Sequence, residues 1–215
     1  MPEPAMIDPL AAPAVSVPDA PLPTSALAGR LAARKVLPAG REAVGVQLSE
    51  RPIGALWQVT AWAPRLAATG AAVAAACGAP APGPGMAAGA GDVTALRIEP
   101  LRWLLLVEPG AEAGGAVVPA LGPGDGTVLD LGHARTRLVV GGTERVALMA
   151  RLGSIDWRPP AFGPGSVTTT QIGRVAVTVL ARQESFELLL PRSYATSLFD
   201  IVAETAEGFG LEIAG

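Results

Sequence analysis

Few residues in this chain are equipped for chemistry. The single histidine, His133, lies in the segment Asp130–Arg137, which also holds Asp130, Arg135 and Arg137 and is the densest polar cluster of the chain. Histidine is the natural general base near neutral pH, and Asp130, Ser25 or Ser154 are residue types that could partner it. No Gly-x-Ser-x-Gly elbow presents a serine, however, and one histidine is thin support for a triad. His133 is therefore expected to hydrogen-bond structurally, at a strand end or an interface. The single cysteine, Cys77, follows three alanines and reads as a small buried hydrophobe. One cysteine and one histidine exclude a disulfide scaffold and a structural zinc cluster. The triplets Gly83-Pro84-Gly85 and Gly163-Pro164-Gly165 lack the Lys-Ser/Thr of a phosphate loop. No Gly-x-Gly-x-x-Gly sits between a strand and a helix as a dinucleotide fold requires. No catalytic, cofactor-binding or metal-ligating residue is thus assigned. Asp130, His133, Arg135 and Arg137 are candidate subunit-interface residues, joined by Trp157, which stands beside Pro159 and Pro160 and is the tryptophan expected to be exposed.

The elements that must position this cluster follow from hydrophobic period. Thr127–Leu131 reads as a short strand. Arg135–Val140 alternates, with Thr136, Leu138 and Val140 on one face and Arg135 and Arg137 on the other, as in a half-buried strand. Gly141-Gly142 ends it, and Thr143 is placed to cap a helix over Glu144–Leu152 with the stripe Val146, Met149 and Leu152. Extended runs follow at Ser166–Ile172, Arg174–Arg182 and Ser185–Leu190. Ser193 opens a last helix carrying Tyr194, Leu198, Ile201, Val202, Thr205 and Phe209 at helical spacing. Upstream, Ser25–Ala33 reads as a short helix, and Val44–Leu48 and Gly54–Trp62 as strands. Pro64 suits the first turn of a helix over Arg65–Cys77, which Gly78 and Pro80 stop. Asp92–Ile98 and Trp103–Glu108 are strands, Glu112–Leu121 a weak helix, and Gly122–Gly126 the internal hinge. The mixture predicts an α+β fold, with helices packed on one face of antiparallel or mixed sheets.

The chain divides into a Pro/Ala-rich tail over 1–24, an N-terminal half over 25–125 and a C-terminal half over 126–215. The tail carries seven prolines and no period, and is expected to be flexible. The halves echo one another: the two Gly-Pro-Gly triplets lie 80 residues apart, and the aromatic-led strands starting at Trp103 and Phe186 lie 83 apart. Such spacing points to a duplicated α+β unit.

A net charge of −3 provides no basic field for nucleic acid. Charged residues make up 16% of the chain, against about 25% in an ordinary soluble domain. A surface partly covered by a partner has that composition, and so does a chain biased toward alanine, glycine and proline. The uncharged span Leu66–Gly91 is broken at Gly78 and Pro80, short of the roughly twenty apolar residues of a membrane span. No secretory signal is recognisable, so a soluble, cytoplasmic protein is expected.

Four stretches carry a family resemblance. They are Leu96-Arg97-Ile98-Glu99-Pro100-Leu101-Arg102-Trp103-Leu104-Leu105, Val128-Leu129-Asp130-Leu131-Gly132-His133-Ala134-Arg135-Thr136-Arg137-Leu138, Gly163-Pro164-Gly165-Ser166-Val167, and Phe186-Glu187-Leu188-Leu189-Leu190-Pro191-Arg192-Ser193-Tyr194-Ala195-Thr196-Ser197-Leu198. With them the chain, over roughly 25–213, resembles the γ subunits of heterotetrameric sarcosine oxidase. That family is similar in fold to the folate-binding, T-protein-like domains of aminomethyltransferases, which implies two fused folate-binding-like halves. The resemblance further implies a non-catalytic, structural subunit working beside α, β and δ subunits. Such a complex demethylates sarcosine oxidatively to glycine, passing the one-carbon unit to tetrahydrofolate and forming hydrogen peroxide. FAD, FMN, NAD, zinc and tetrahydrofolate would be held by the other subunits. Related complexes acting on other N-methyl amines have similar small subunits. A free-standing folate-dependent aminomethyltransferase is the alternative, although no acid here maps onto that family's catalytic carboxylate.

Overall fold

The computed structural model describes residues 24–111, 121–122 and 124–214. The expected tail over 1–23 and most of the weak helix at Glu112–Leu121 lie outside them. The strands are β1 (Arg34–Val36), β2 (Val46–Glu50), β3 (Ala55–Ala61), β4 (Ala87–Ala88), β5 (Val93–Glu99), β6 (Arg102–Val107), β7 (Gly126–Asp130), β8 (Arg135–Gly141), β9 (Val167–Ile172), β10 (Val175–Ala181), β11 (Ser185–Pro191) and β12 (Leu211–Ile213). The helices are α1 (Leu66–Cys77), α2 (Arg145–Leu152) and α3 (Ala195–Glu207). A five-stranded antiparallel sheet runs β4-β5-β6-β3-β7. A seven-stranded sheet runs β1-β12-β2-β8-β11-β10-β9, its one parallel pair being β12 with β2.

Side-chain alternation along the strands builds four layers. On β6, Trp103, Leu105 and Val107 face Val73 and Cys77 of α1, while Leu104 and Leu106 face the second sheet. On the seven-stranded sheet, Leu138, Val140, Val177, Val179, Leu188 and Leu190 pack against α2 and α3. The opposite faces of the two sheets meet through Leu56, Leu96, Leu104 and Leu106 on one side and Val167, Leu180 and Leu189 on the other. Each sheet thus has helices on one face and the other sheet on its second face.

The two halves exchange strands. The run β3-α1-β4-β5-β6 has the same order as β8-α2-β9-β10-β11, and in each sheet the first strand of the run pairs with the last. The strand before each run joins the opposite sheet: β2 lies against β8, and β7 against β3. The Gly-Pro-Gly turns meet back to back. Ala87 N donates to Gly165 O and Val167 N to Gly85 O, both at 2.7 Å, around a bridge between Met86 and Ser166. Gly85 (φ +75°) and Gly165 (φ +84°) supply the left-handed backbone that turns each segment into this contact.

Several local expectations are corrected. Ser25–Ala33 forms turns and no helix: Ala28 N donates to Ser25 O and Arg30 N to Leu27 O, with Gly29 at φ +83°. Thr143 does not cap α2; the residue leading into the helix is held by the segment before β2, where Gly45 O accepts from Glu144 N at 2.8 Å. Within α2, Leu148 joins Met149 and Leu152 in the core, and Val146 is only partly buried. In α3 the buried stripe is Ala195, Leu198, Phe199, Val202, Ala203 and Ala206, leaving Ile201 and the preceding Tyr194 exposed. The exposed tryptophan is Trp62, at 49%, whereas Trp157 is 1% exposed. The Pro159-Pro160 turn brings Phe162 edge-on to Trp157 (5.1 Å between centroids), and Phe186 of β11 lies 5.8 Å away on the same ring.

Trp157→Ala should therefore cost about 3–5 kcal/mol, and Trp62→Ala no more than about 0.5 kcal/mol. Urea unfolding curves compare them; equal midpoints for the two variants would contradict this packing.

Candidate functional site

The segment between β7 and β8 is a tight turn. Leu131 N donates to Leu56 O, Gly132 N to an Asp130 carboxylate oxygen at 2.8 Å, and Ala134 N to Leu131 O. The turn is clamped to the loop after β11, where Arg192 N donates to Ala134 O at 3.0 Å. Together with the β2–β3 connection it borders a cleft of about 330 Å³, into which Asp130, His133, Arg135, Arg137 and, from outside the turn, Arg51 and Arg192 contribute. Four of the five residues singled out from sequence therefore converge here. Trp157 does not, since it is buried in the aromatic cluster beneath β11.

The four have different environments. His133 and Asp130 are exposed, and the His133 ring has no hydrogen-bond partner among the described residues. Arg135 is half-buried, and burial pushes its guanidinium below the usual arginine value. Among the described residues it donates only to the carbonyl of Ala134, at 3.2 Å.

Arg137 is fully buried, which corrects the expectation of a strand with one solvated face. Its strand face is covered by the five-stranded sheet, and the charge is answered by acids from both sheets. Nη1 and Nη2 grip the two oxygens of Glu108, just past β6, each at 3.0 Å, and Nε donates to Glu187 of β11 at 3.0 Å. Glu187 also accepts from Arg182 Nε at 3.0 Å, and Arg51 approaches Glu108 to 3.4 Å. A bidentate arginine–carboxylate pair is the strongest geometry open to such groups. Burial pushes the Glu108 carboxyl up, but its hydrogen bonds from Arg137 and the charges of Arg137, Arg51 and Arg182 outweigh this and hold it below its ordinary value. Sequence reasoning missed Glu108, Glu187 and Arg192; strand alternation placed Glu187 opposite the helix-facing leucines but carried no sign of a second sheet.

Among the described residues, no three of His, Cys, Asp and Glu gather as metal ligands, and no helix is long and apolar enough to cross a membrane. Cys77 is buried under the five-stranded sheet, its thiol 3.4 Å from the Ala79 carbonyl.

No family model matches the chain. Sarcosine oxidase subunit gamma from Arthrobacter sp. is 31% identical over 125 residues, covering 55% of this chain and 62% of that protein. The chain thus spans somewhat under two thirds of the length of this curated relative. A chain of the heterotetrameric sarcosine oxidase from Corynebacterium sp. U-96, solved with pyrrole 2-carboxylate, superposes with a TM-score of 0.74 at 24% identity, over 88% of this chain and 97% of that one. The glycine cleavage system aminomethyltransferase T from Bartonella henselae superposes with a TM-score of 0.58 at 18% identity, over 80% of this chain and 48% of that one. The α+β architecture foreseen from the sequence is the one these structures share.

Removing the centre of the buried network by Arg137→Ala strands two carboxylates and should destabilise the chain by about 3–5 kcal/mol. Because Glu108 titrates lower in the folded chain than in the unfolded one, its contribution is fully present above its ordinary value of 4.5 and is lost as pH falls through the lowered one. Denaturation across that acid range should show Glu108→Gln losing less stability on acidification than the wild type; parallel losses would count against the pairing.

Proposed function

We propose that this chain is a non-catalytic, structural subunit of a heterotetrameric sarcosine oxidase, counterpart of the γ subunit. The observation that carries the reading is the 31% identity to a sarcosine oxidase γ subunit. The shared architecture with a chain of the Corynebacterium oxidase agrees with it. In this reading the assembled enzyme demethylates sarcosine oxidatively to glycine, transfers the one-carbon unit to tetrahydrofolate and releases hydrogen peroxide. The α, β and δ subunits hold FAD, FMN, NAD, zinc and tetrahydrofolate. The duplicated, strand-exchanged sandwich acts as a rigid body against which they assemble. Asp130, His133 and Arg135 are surface groups available to an interface. Arg137 and Trp157 serve it only by holding the scaffold, because both are buried within the chain.

A second reading has one observation in its favour, the fold shared with aminomethyltransferase T. It makes this chain a folate-dependent aminomethyltransferase in its own right, or a small adaptor for another N-methyl amine demethylase. Likeness of fold does not carry folate binding with it.

Co-expression of the tagged chain with its neighbouring genes should recover a yellow four-subunit complex that consumes oxygen when given sarcosine. Omitting the chain should lower the yield of that complex. An oxidase that assembles and turns over equally well without it would overturn the structural role. Micromolar binding of tetrahydrofolate by the isolated chain would favour the aminomethyltransferase reading.

A further inference from the structure

Among the described residues, the cleft between the β2–β3 connection and the β7–β8 turn holds two guanidinium groups that pair with no acid. Arg51, Arg137 and Arg182 divide Glu108 and Glu187 among them. Arg135 and Arg192 have no carboxylate within 4.0 Å among the described residues; each donates instead to a backbone carbonyl, that of Ala134 and of Thr24 respectively. The two acids at the cleft wall accept from neutral donors and keep their charge, Glu50 from the Ser25 hydroxyl and Asp130 from the Gly132 amide, but neither comes within 4.0 Å of Arg135 or Arg192. Arg135 and Arg192 belong to one margin of the sheet, since Arg135 pairs with Pro191 across β8 and β11 and the Arg192 amide bonds to Ala134. Holding Arg135 half-buried without a counter-charge costs free energy that an incoming carboxylate would return as charge-assisted hydrogen bonds.

Two large exposed side chains stand close in sequence to residues of the cleft. Leu129, 54% exposed, adjoins Asp130, and Tyr194, 53% exposed, follows Arg192 by two residues. Arginine and tyrosine beside exposed apolar surface are the residue types enriched where protein partners bury a contact. We infer that the cleft receives an acidic side chain of a partner subunit, gripped by Arg135 and Arg192. This inference rests on the assembly reading above and gives that contact its chemistry.

The co-expressed complex is the material for the test. Replacing both groups (Arg135→Gln with Arg192→Gln) should weaken association of this chain roughly 10–100-fold and flatten its salt dependence. Arg135→Lys, which keeps the charge but not the fork, should recover part of the loss. Arginine labelling with phenylglyoxal, read by mass spectrometry on unsubstituted protein, avoids any folding defect of the variants: both residues should react in the isolated chain and be protected in the complex. Equal labelling in the two states, or unchanged association and salt response in the double variant, overturns the inference while leaving the assembly reading intact. Glutarate stabilising the isolated chain through these arginines, with assembly unaffected, would make this a small-carboxylate site and would overturn it also. Failure of the unsubstituted chain to form any complex removes both readings together.

Discussion

The ion pairs of Arg137 hold the centre of this molecule. A guanidinium wholly out of water is tolerable only when each of its donors finds an acceptor, and here the acceptors come from both sheets: Glu187 from the strand beside it and Glu108 from the end of β6 opposite. The apolar contact between the sheets is a modest set of leucines and a valine, and leucine packing tolerates sliding far better than a bidentate salt bridge does. The pairs therefore bear on specificity as well as energy: they set one relative placement of the two sheets, and so of the β2–β3 connection and the β7–β8 turn that border the cleft.

Strand exchange works to the same end. Because β2 completes the sheet built around β8, and β7 the sheet built around β3, neither half can complete its sheet without the other. The turn at Gly132–Ala134 carries the chain directly from one sheet into the next, and its main chain is bonded to both, to Leu56 on one side and Arg192 on the other. The polar residues of that turn thus sit where the main chain ties the two sheets together. A surface meant to hold a partner gains from such rigidity, because less ordering is needed on binding.

The elements were largely legible because period records burial on one face. The alternation in Arg174–Arg182 and the helical spacing in Arg65–Cys77 correspond to β10 and α1 within a residue or two, and Gly78, at φ +65°, ends α1 where the sequence places its stop. The Gly-Pro-Gly spacing announced a repeat that the structure realises as two turns bonded to each other. Legibility ended where a side chain's surroundings came from distant segments. Trp157 beside two prolines reads as solvent-facing, and only the arrival of Phe162 and Phe186 encloses it. In Ser25–Ala33, two leucines at helical spacing were outweighed by Gly29 and by i→i−3 bonds.

The sequence by itself determined most of the longer strands and helices, the α+β class, the internal repeat and the polar cluster at Asp130–Arg137, since each is written in local spacing and turn chemistry; the short strands β1, β4 and β12 and the turns at Ser25–Ala33 were not. The tertiary structure alone decided which of those polar residues face solvent. Arg135 and Arg137 are two residues apart on one strand and chemically identical. Glu108 and Glu187 surround the second and enclose it, and among the described residues no acid pairs with the first. Which arginine is buried in ion pairs and which is left half-exposed depends on where an opposing sheet ends, and that edge is set by long-range packing between the sheets.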